Sequence, residues 1–169
     1  MGESIISRTP GEQFLIGIDP GKTTGMCVLV VQTRMIRALY TLDFWSCFNL
    51  FQKNAEEYPR ICQIYIEQPS LVKSLYARHA TRLEETKSKV VTRDKIVWDA
   101  GANAREGTLL RDGLRNLGYT CFDCKPVGRK KWDSATFQQA TTWQDRSNQH
   151  VRDAAFLIHD KSWQENPQI

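Results

Sequence analysis

The sequence predicts an α/β protein: a five-stranded mixed sheet, three strands antiparallel and the later ones parallel, flanked by helices. Three observations predict it. Apolar, β-type runs at Phe14 to Asp19, Gly25 to Gln32 and Met35 to Phe44 follow one another closely enough for an antiparallel meander. Two more such runs, Ile61 to Glu67 and Tyr119 to Cys124, alternate with helical stretches. The chain has 169 residues, 41% hydrophobic and 25% charged, which is enough apolar material for one core and too little for two. The expectation is one domain over residues 1–169, with a basic insertion at about 71–95.

In chain order, Phe14-Leu15-Ile16-Gly17-Ile18-Asp19 ends in an acid before Pro20-Gly21, the punctuation of a buried strand entering a tight turn. After the second and third strands, Trp45 to Tyr58 carries Phe48, Leu50, Phe51 and Ala55 at mixed helical spacing, and Pro59 terminates it. Ile61 to Glu67 is β-branched and again stops at an acid before a proline, Pro69. Leu71 to Arg93 is polar, basic and weakly periodic, which reads as a long loop or an inserted helical arm. From Ile96 to Leu117, Val97, Ala100, Ala104, Leu109, Leu110, Leu114 and Leu117 form a helical stripe that Gly118 stops. A helix is expected over Arg129 to Trp143, and Ser147 or Asn148 caps a last one whose apolar stretch is Val151 to Ile158.

Charge is unevenly distributed. Lys73 to Lys95 holds seven basic residues against three acids, and Lys125 to Lys131 holds four against none, while the whole chain is only +4. Two basic islands on an acidic body point to a polyanion-binding face, and a charge run is also the ordinary dress of a solvated surface. Lys73, Tyr76, Arg78, Arg82, Arg129, Lys130 and Lys131 are the candidate nucleic-acid contacts, with Trp132 beside them as a candidate for stacking or backbone contact; packing is the default reading for both Tyr76 and Trp132. No run reaches the roughly 18–20 apolar residues of a membrane span, and Met1 to Gln13 has no signal-peptide core, so no membrane partner is expected. Five cysteines, an odd number in a chain of this size, favour reduced thiols and a cytoplasmic setting.

The positions of the acids carry the chemistry. Asp19 and Glu67 end two strands, where ligands of open α/β sheets collect, and Asp153 lies one turn into the last helix. Three carboxylates gathered there repel one another unless a hard cation neutralises them. Mg²⁺ suits such a cluster, and paired ions stabilise both oxygens of a phosphodiester displacement. His150, three residues before Asp153, projects from the same helix face, as a metal ligand or as a proton carrier for the attacking water or the leaving 3′ oxygen. Each residue also has a plain reading. Asp19 before Pro-Gly is a turn former, Glu67 a partner for a surface lysine, and His-x-x-Asp a solvated pair near a helix start. The coincidence of two strand ends and one helix start favours the catalytic reading.

Other motifs fall away. Gly21-Lys22-Thr23 matches the tail of a phosphate-binding P-loop, whose first glycine would fall on Ile16. Asp19 to Thr23 is also similar to the phosphate loop of sugar-kinase and actin-like ATPases, whose bodies are far larger than this chain. Cys121-x-x-Cys124 has no second pair to complete a zinc site, so these cysteines are expected to pack on alternate faces of a strand.

Phe14 to Gly25, Ile64-Tyr-Ile-Glu67-Gln68 and His150-Val-Arg-Asp153-Ala-Ala resemble, in order, the three acidic blocks of RuvC-type Holliday-junction resolvases. Between them, Ala100 to Gly107 is similar to that family's small-residue helix, and Pro126 to Lys130 to its Pro-Arg-x-Val-Lys segment. The resemblance implies an RNase H-like fold, a homodimer, dependence on Mg²⁺ with Mn²⁺ as a substitute, and paired nicks across a four-way junction leaving 5′-phosphates. It implies Asp19, Glu67, His150 and Asp153 as catalytic, metal-binding positions and Lys130 as a phosphate contact. The insertion at Leu71 to Lys95 departs from the family pattern, and the segment from Lys131 to Trp143 is short. Flaps or forks are therefore alternative substrates, which would suit a bacteriophage or mobile-element enzyme; the expected setting is the cytoplasm of a bacterial cell or, for a phage-encoded enzyme, of its host. A catalytically silent nucleic-acid-binding domain is the reading from another class.

Overall fold

The computed structural model describes residues 9–71, 87–126 and 131–165. Its strands are β1 (Phe14–Asp19), β2 (Thr24–Val30), β3 (Ile36–Leu42), β4 (Cys62–Glu67) and β5 (Thr120–Cys124), in the sheet order β3-β2-β1-β4-β5. β1, β2 and β3 pair antiparallel, and β4 and β5 continue the sheet in parallel beyond β1. The helices are α1 (Phe44–Gln52), α2 (Lys87–Asn116), α3 (Ser134–Thr141) and α4 (Gln149–His159). The architecture is the mixed, helix-flanked sheet that the sequence predicts.

The strand residues alternate between two apolar layers. Phe14, Ile16, Ile18, Met26, Val28, Ile64 and Ile66 pack with Phe51 of α1 and with Leu110 and Leu114 of α2. Leu15, Cys27, Leu29 and Tyr65 meet Phe137 of α3 and Ala154, Ala155, Leu157 and Ile158 of α4. Coverage on both sides is why β1, β2 and β4 read as unbroken apolar runs, whereas edge strand β3 is only half-buried. Each fully buried large side chain contributes about 1.5–3 kcal/mol, so these layers are the main source of stability.

Several boundaries differ from the sequence reading, for identifiable reasons. β3 stops at Leu42 because Asp43 is the N-cap of α1, accepting from the Ser46 amide at 3.0 Å. α1 ends at Gln52, and the chain turns before a 3₁₀ segment at Tyr58–Arg60. α3 spans less than Arg129 to Trp143: Asp133 caps it, and Thr142 ends it at φ 59°. Asn148, one of the two residues expected to cap α4, does so by accepting from the Val151 amide at 3.1 Å. Gly118 stops α2 at φ +89°.

The helix expected from Ile96 begins at Lys87, so part of the polar arm is helical. From residue 101 on, most of its side chains are exposed or half-buried. Trp98 is 78% exposed, and Leu109, assigned to the apolar stripe, is 50% exposed. Trp132 packs edge-on against Phe156 and His159, with ring centroids 5.0 and 4.9 Å away, in line with the default reading of it as a packing residue rather than with DNA contact. Cys121 and Cys124 pack into opposite layers as free thiols, pushed up by burial to about 12 and about 11. Among the described residues no helix is long and apolar enough to cross a membrane.

Candidate active site

The site begins with strand register. β1 and β4 run parallel with Ile18 opposite Ile66, so Asp19 and Glu67 leave the same end of the sheet on neighbouring strands, about 4.8 Å apart in the backbone. Both lie on the face that α4 covers, since they share the parity of Leu15 and Tyr65. Gln68, fully buried, fixes the end of β4 by donating from Nε2 to the Gly107 carbonyl at 3.0 Å. A Cβ on Gly107 would lie 3.1 Å from the Glu67 carbonyl oxygen and 3.4 Å from Pro20, so this bare stretch of α2 lets the helix seat against both strand ends.

Two more glycines bring in α4. A Cβ on Gly17 would stand 1.9 Å from the Ala154 carbonyl oxygen, and one on Gly25 would stand 2.3 Å from the His150 carbonyl. Side chains at either place would hold the helix off the sheet. Gly25 is the direct partner of Asp19 in the β1–β2 ladder, so seating the start of α4 on Gly25 delivers its first turn to Asp19. His150 Nδ1 and Asp19 Oδ2 share a hydrogen bond at 2.8 Å as a result. The His150 side chain is 48% exposed and the Asp19 side chain 12%, so the ring's other edge faces the open side.

Asp153, one turn further on, is buried. Its Oδ1 accepts from Gln149 Nε2 at 2.6 Å, and its Oδ2 accepts from the Lys131 ammonium. Burial raises the proton affinity of Asp19, opposed by the hydrogen bond and charge of His150, and the charge of Asp153 raises it further. Lys131 shows the reverse balance. Burial works against its charge, but the hydrogen bond to Asp153 and the charges of Asp153, Asp19 and Glu67 hold it above the ordinary lysine value. One ammonium therefore feels all three carboxylates.

The structure thus joins Asp19 to His150 and Asp153 to Lys131, couples Asp19 to Asp153 through charge, and sets Glu67 beside Asp19 by register. Lys131, expected at a DNA-binding surface, sits at the carboxylates. Lys73, Tyr76, Arg78, Arg82, Arg129 and Lys130 lie outside the described residues. Sequence reasoning missed Gln149, which grips Asp153 from four residues upstream, and the two glycines. Glycine inside an apolar strand is itself the signal of a close approach. Between β3 and the start of α4 a cavity of about 320 Å³ opens, lined by Leu39, Thr41, Arg146, Ser147, Asn148 and Val151.

No family model matches the sequence, and no curated protein matches it. Among solved structures, the chain is similar to T. thermophilus RuvC in complex with Holliday junction substrate. The identity is 10%, the match covers 87% of this chain and 90% of that one, and the TM-score is 0.50. The large terminase nuclease from thermophilic phage G20c matches over 96% of this chain and 91% of that one, at 12% identity and a TM-score of 0.40. The chain has the RNase H-like fold of the RuvC type.

Proposed function

We propose that this protein is a divalent-metal-dependent, structure-selective DNA endonuclease that resolves four-way junctions by paired cuts leaving 5′-phosphates. The observation that carries the reading is the meeting of Asp19, at the end of β1, with His150, in the first turn of α4, beside a buried Asp153. Support for the substrate comes from the fold shared with a resolvase and from the basic islands of the sequence.

Among the described residues no three carboxylate, imidazole or thiolate groups are gathered closely enough to hold an ion as they stand. The donor chemistry nevertheless fits a hard divalent cation: carboxylate oxygens dominate, and a buried Asp153 requires a positive partner. Asp19, Glu67 and Asp153 would hold it, which leaves His150 as the proton carrier. When bound, Mg²⁺ or Mn²⁺ supplies Lewis-acid stabilisation of the charge that develops on the phosphodiester. Asp19 orients the His150 ring through Nδ1, so Nε2 takes the proton from the attacking water or returns one to the leaving 3′ oxygen. Gln149 holds the Asp153 carboxylate in a fixed direction throughout.

The cavity between β3 and the start of α4 would take a nucleotide of the bound strand, with Arg146 at its phosphate. Arg146→Ala is expected to raise KM on a synthetic four-way junction by about 3–10-fold with kcat little changed, as for loss of one phosphate contact. Steady-state cleavage at two salt concentrations checks this.

A homodimer belongs to the same proposal, because two symmetric centres cut two symmetry-related strands. Trp98 and Leu109, eleven residues apart and so on one side of α2, offer exposed apolar surface for a second copy. Leu109→Glu is expected to shift light-scattering mass from dimer to monomer; an unchanged mass contradicts this pairing surface.

The decisive test of the function is cleavage-product mapping with Mg²⁺ on four-way junctions, flaps, forks and linear duplex. Paired symmetric nicks on the junction support resolution, and preferred cutting of flaps or forks assigns another branched substrate. Salt-sensitive, metal-independent binding without any cutting supports the silent-domain reading.

A further inference from the structure

We infer that Lys131 is the resident cation of the carboxylate centre and yields its place when a divalent ion enters, so that metal binding is an exchange of one positive charge for another. The inference rests on the nuclease reading above and concerns how that site is kept and loaded.

Four features of the geometry carry it. Asp153 is 2% exposed, and a buried carboxylate without a positive partner is strongly destabilising; the Lys131 ammonium is that partner. Asp19 and Glu67 leave the same end of the sheet on neighbouring strands, and their charges help hold the same ammonium above the ordinary lysine value. Its side chain is nonetheless 52% exposed, so the head group can swing into water by rotation about its own bonds. On its C-terminal side the chain is anchored, because Trp132 packs on Phe156 and His159 and Asp133 caps α3.

Gln149 keeps its hydrogen bond to the other oxygen of Asp153, so the carboxylate remains oriented while the cations change over. Held this way, the apo site keeps the buried Asp153 carboxylate paired with a positive charge. After the exchange the ammonium stands at the rim of the site, free to meet a phosphate oxygen. A lysine that merely props Asp153 in its metal-binding pose would behave oppositely, since its loss would weaken metal binding.

The test uses the full-length protein without DNA and Mn²⁺ as the probe. Calorimetric titration of Lys131→Met, which keeps the stem and removes the charge, is expected to give Mn²⁺ affinity about 10-fold higher than the parent, because a competing occupant lowers apparent affinity by its own occupancy. The variant's melting temperature is expected to be lower without metal and to rise more on Mn²⁺ addition than the parent's.

Should that variant fold poorly, the parent supplies the second measurement: peptide-mapped acylation of the Lys131 amine is expected to speed up severalfold with Mn²⁺. Equal or weaker Mn²⁺ affinity in Lys131→Met, or acylation of Lys131 unaltered by Mn²⁺, overturns the exchange. A parent that binds no Mn²⁺ overturns the metal-nuclease reading and the exchange together. A parent that binds Mn²⁺ and cuts junctions while Lys131→Met binds no better overturns the exchange alone.

Discussion

Asp19→Asn is expected to cut a four-way junction at least about a thousandfold more slowly than the parent, equivalent to about 4 kcal/mol of lost transition-state stabilisation. The protein should remain folded. The Asp19 residue is 8% exposed, and burial already disfavours its charged form, so a neutral group of the same shape is at least as well accommodated there. Asparagine can still accept from His150 Nδ1, which preserves the seating of α4. Single-turnover cleavage with Mg²⁺ and a thermal melt read the two halves separately. A variant that cuts like the parent removes Asp19 from the chemistry; one that unfolds shows that the carboxylate holds the fold.

Gly17→Ala is the largest expected effect on stability. The new methyl carbon would lie 1.9 Å from the Ala154 carbonyl oxygen, a backbone atom that cannot rotate away, so β1 and α4 must separate. We expect a loss of about 3 kcal/mol or more, the upper range for overpacking, and a melting temperature about 6–12 °C lower. Cleavage should fall as well, because the lifted helix carries His150 and Asp153 away from Asp19. Gly101→Ala is the contrasting control: nothing lies within 4 Å of its Cβ position, and an exposed helical alanine is expected to add about 0.5–1 kcal/mol. Equal melting temperatures for the two variants would contradict the close seating of α4.

The sheet was legible because its inner strands bury both faces, which leaves unbroken apolar runs such as Phe14 to Asp19 that punctuate themselves with acids and prolines. Helix α4 was legible for a similar reason, an apolar stretch behind an Asn cap. The start of α2 was not, because Lys87 to Lys95 is polar and basic and carries little 3.6-residue signal. For Trp132 the default of packing prevails over the alternative that its basic neighbours suggest: adjacency to Arg129, Lys130 and Lys131 says nothing about which way a ring packs, and this one packs on Phe156.

At the site, the pairing of Asp19 with His150 spans 131 positions and depends on Gly25 admitting a helix, a tertiary event that no local pattern encodes. The three acids stood out by their place at element ends. The role of Lys131 did not, since a lysine in a basic run looks the same whether it faces DNA or turns back onto a carboxylate.

Anomalous diffraction from crystals soaked in millimolar Mn²⁺ tests most directly whether side chains from β1, β4 and α4 act as one metal-gripping unit. The account predicts an anomalous peak bounded by the carboxylates of Asp19, Glu67 and Asp153, with the Lys131 ammonium displaced from Asp153. Crystals of a protein that cuts DNA under the same ion, with no peak among those three side chains, would contradict it.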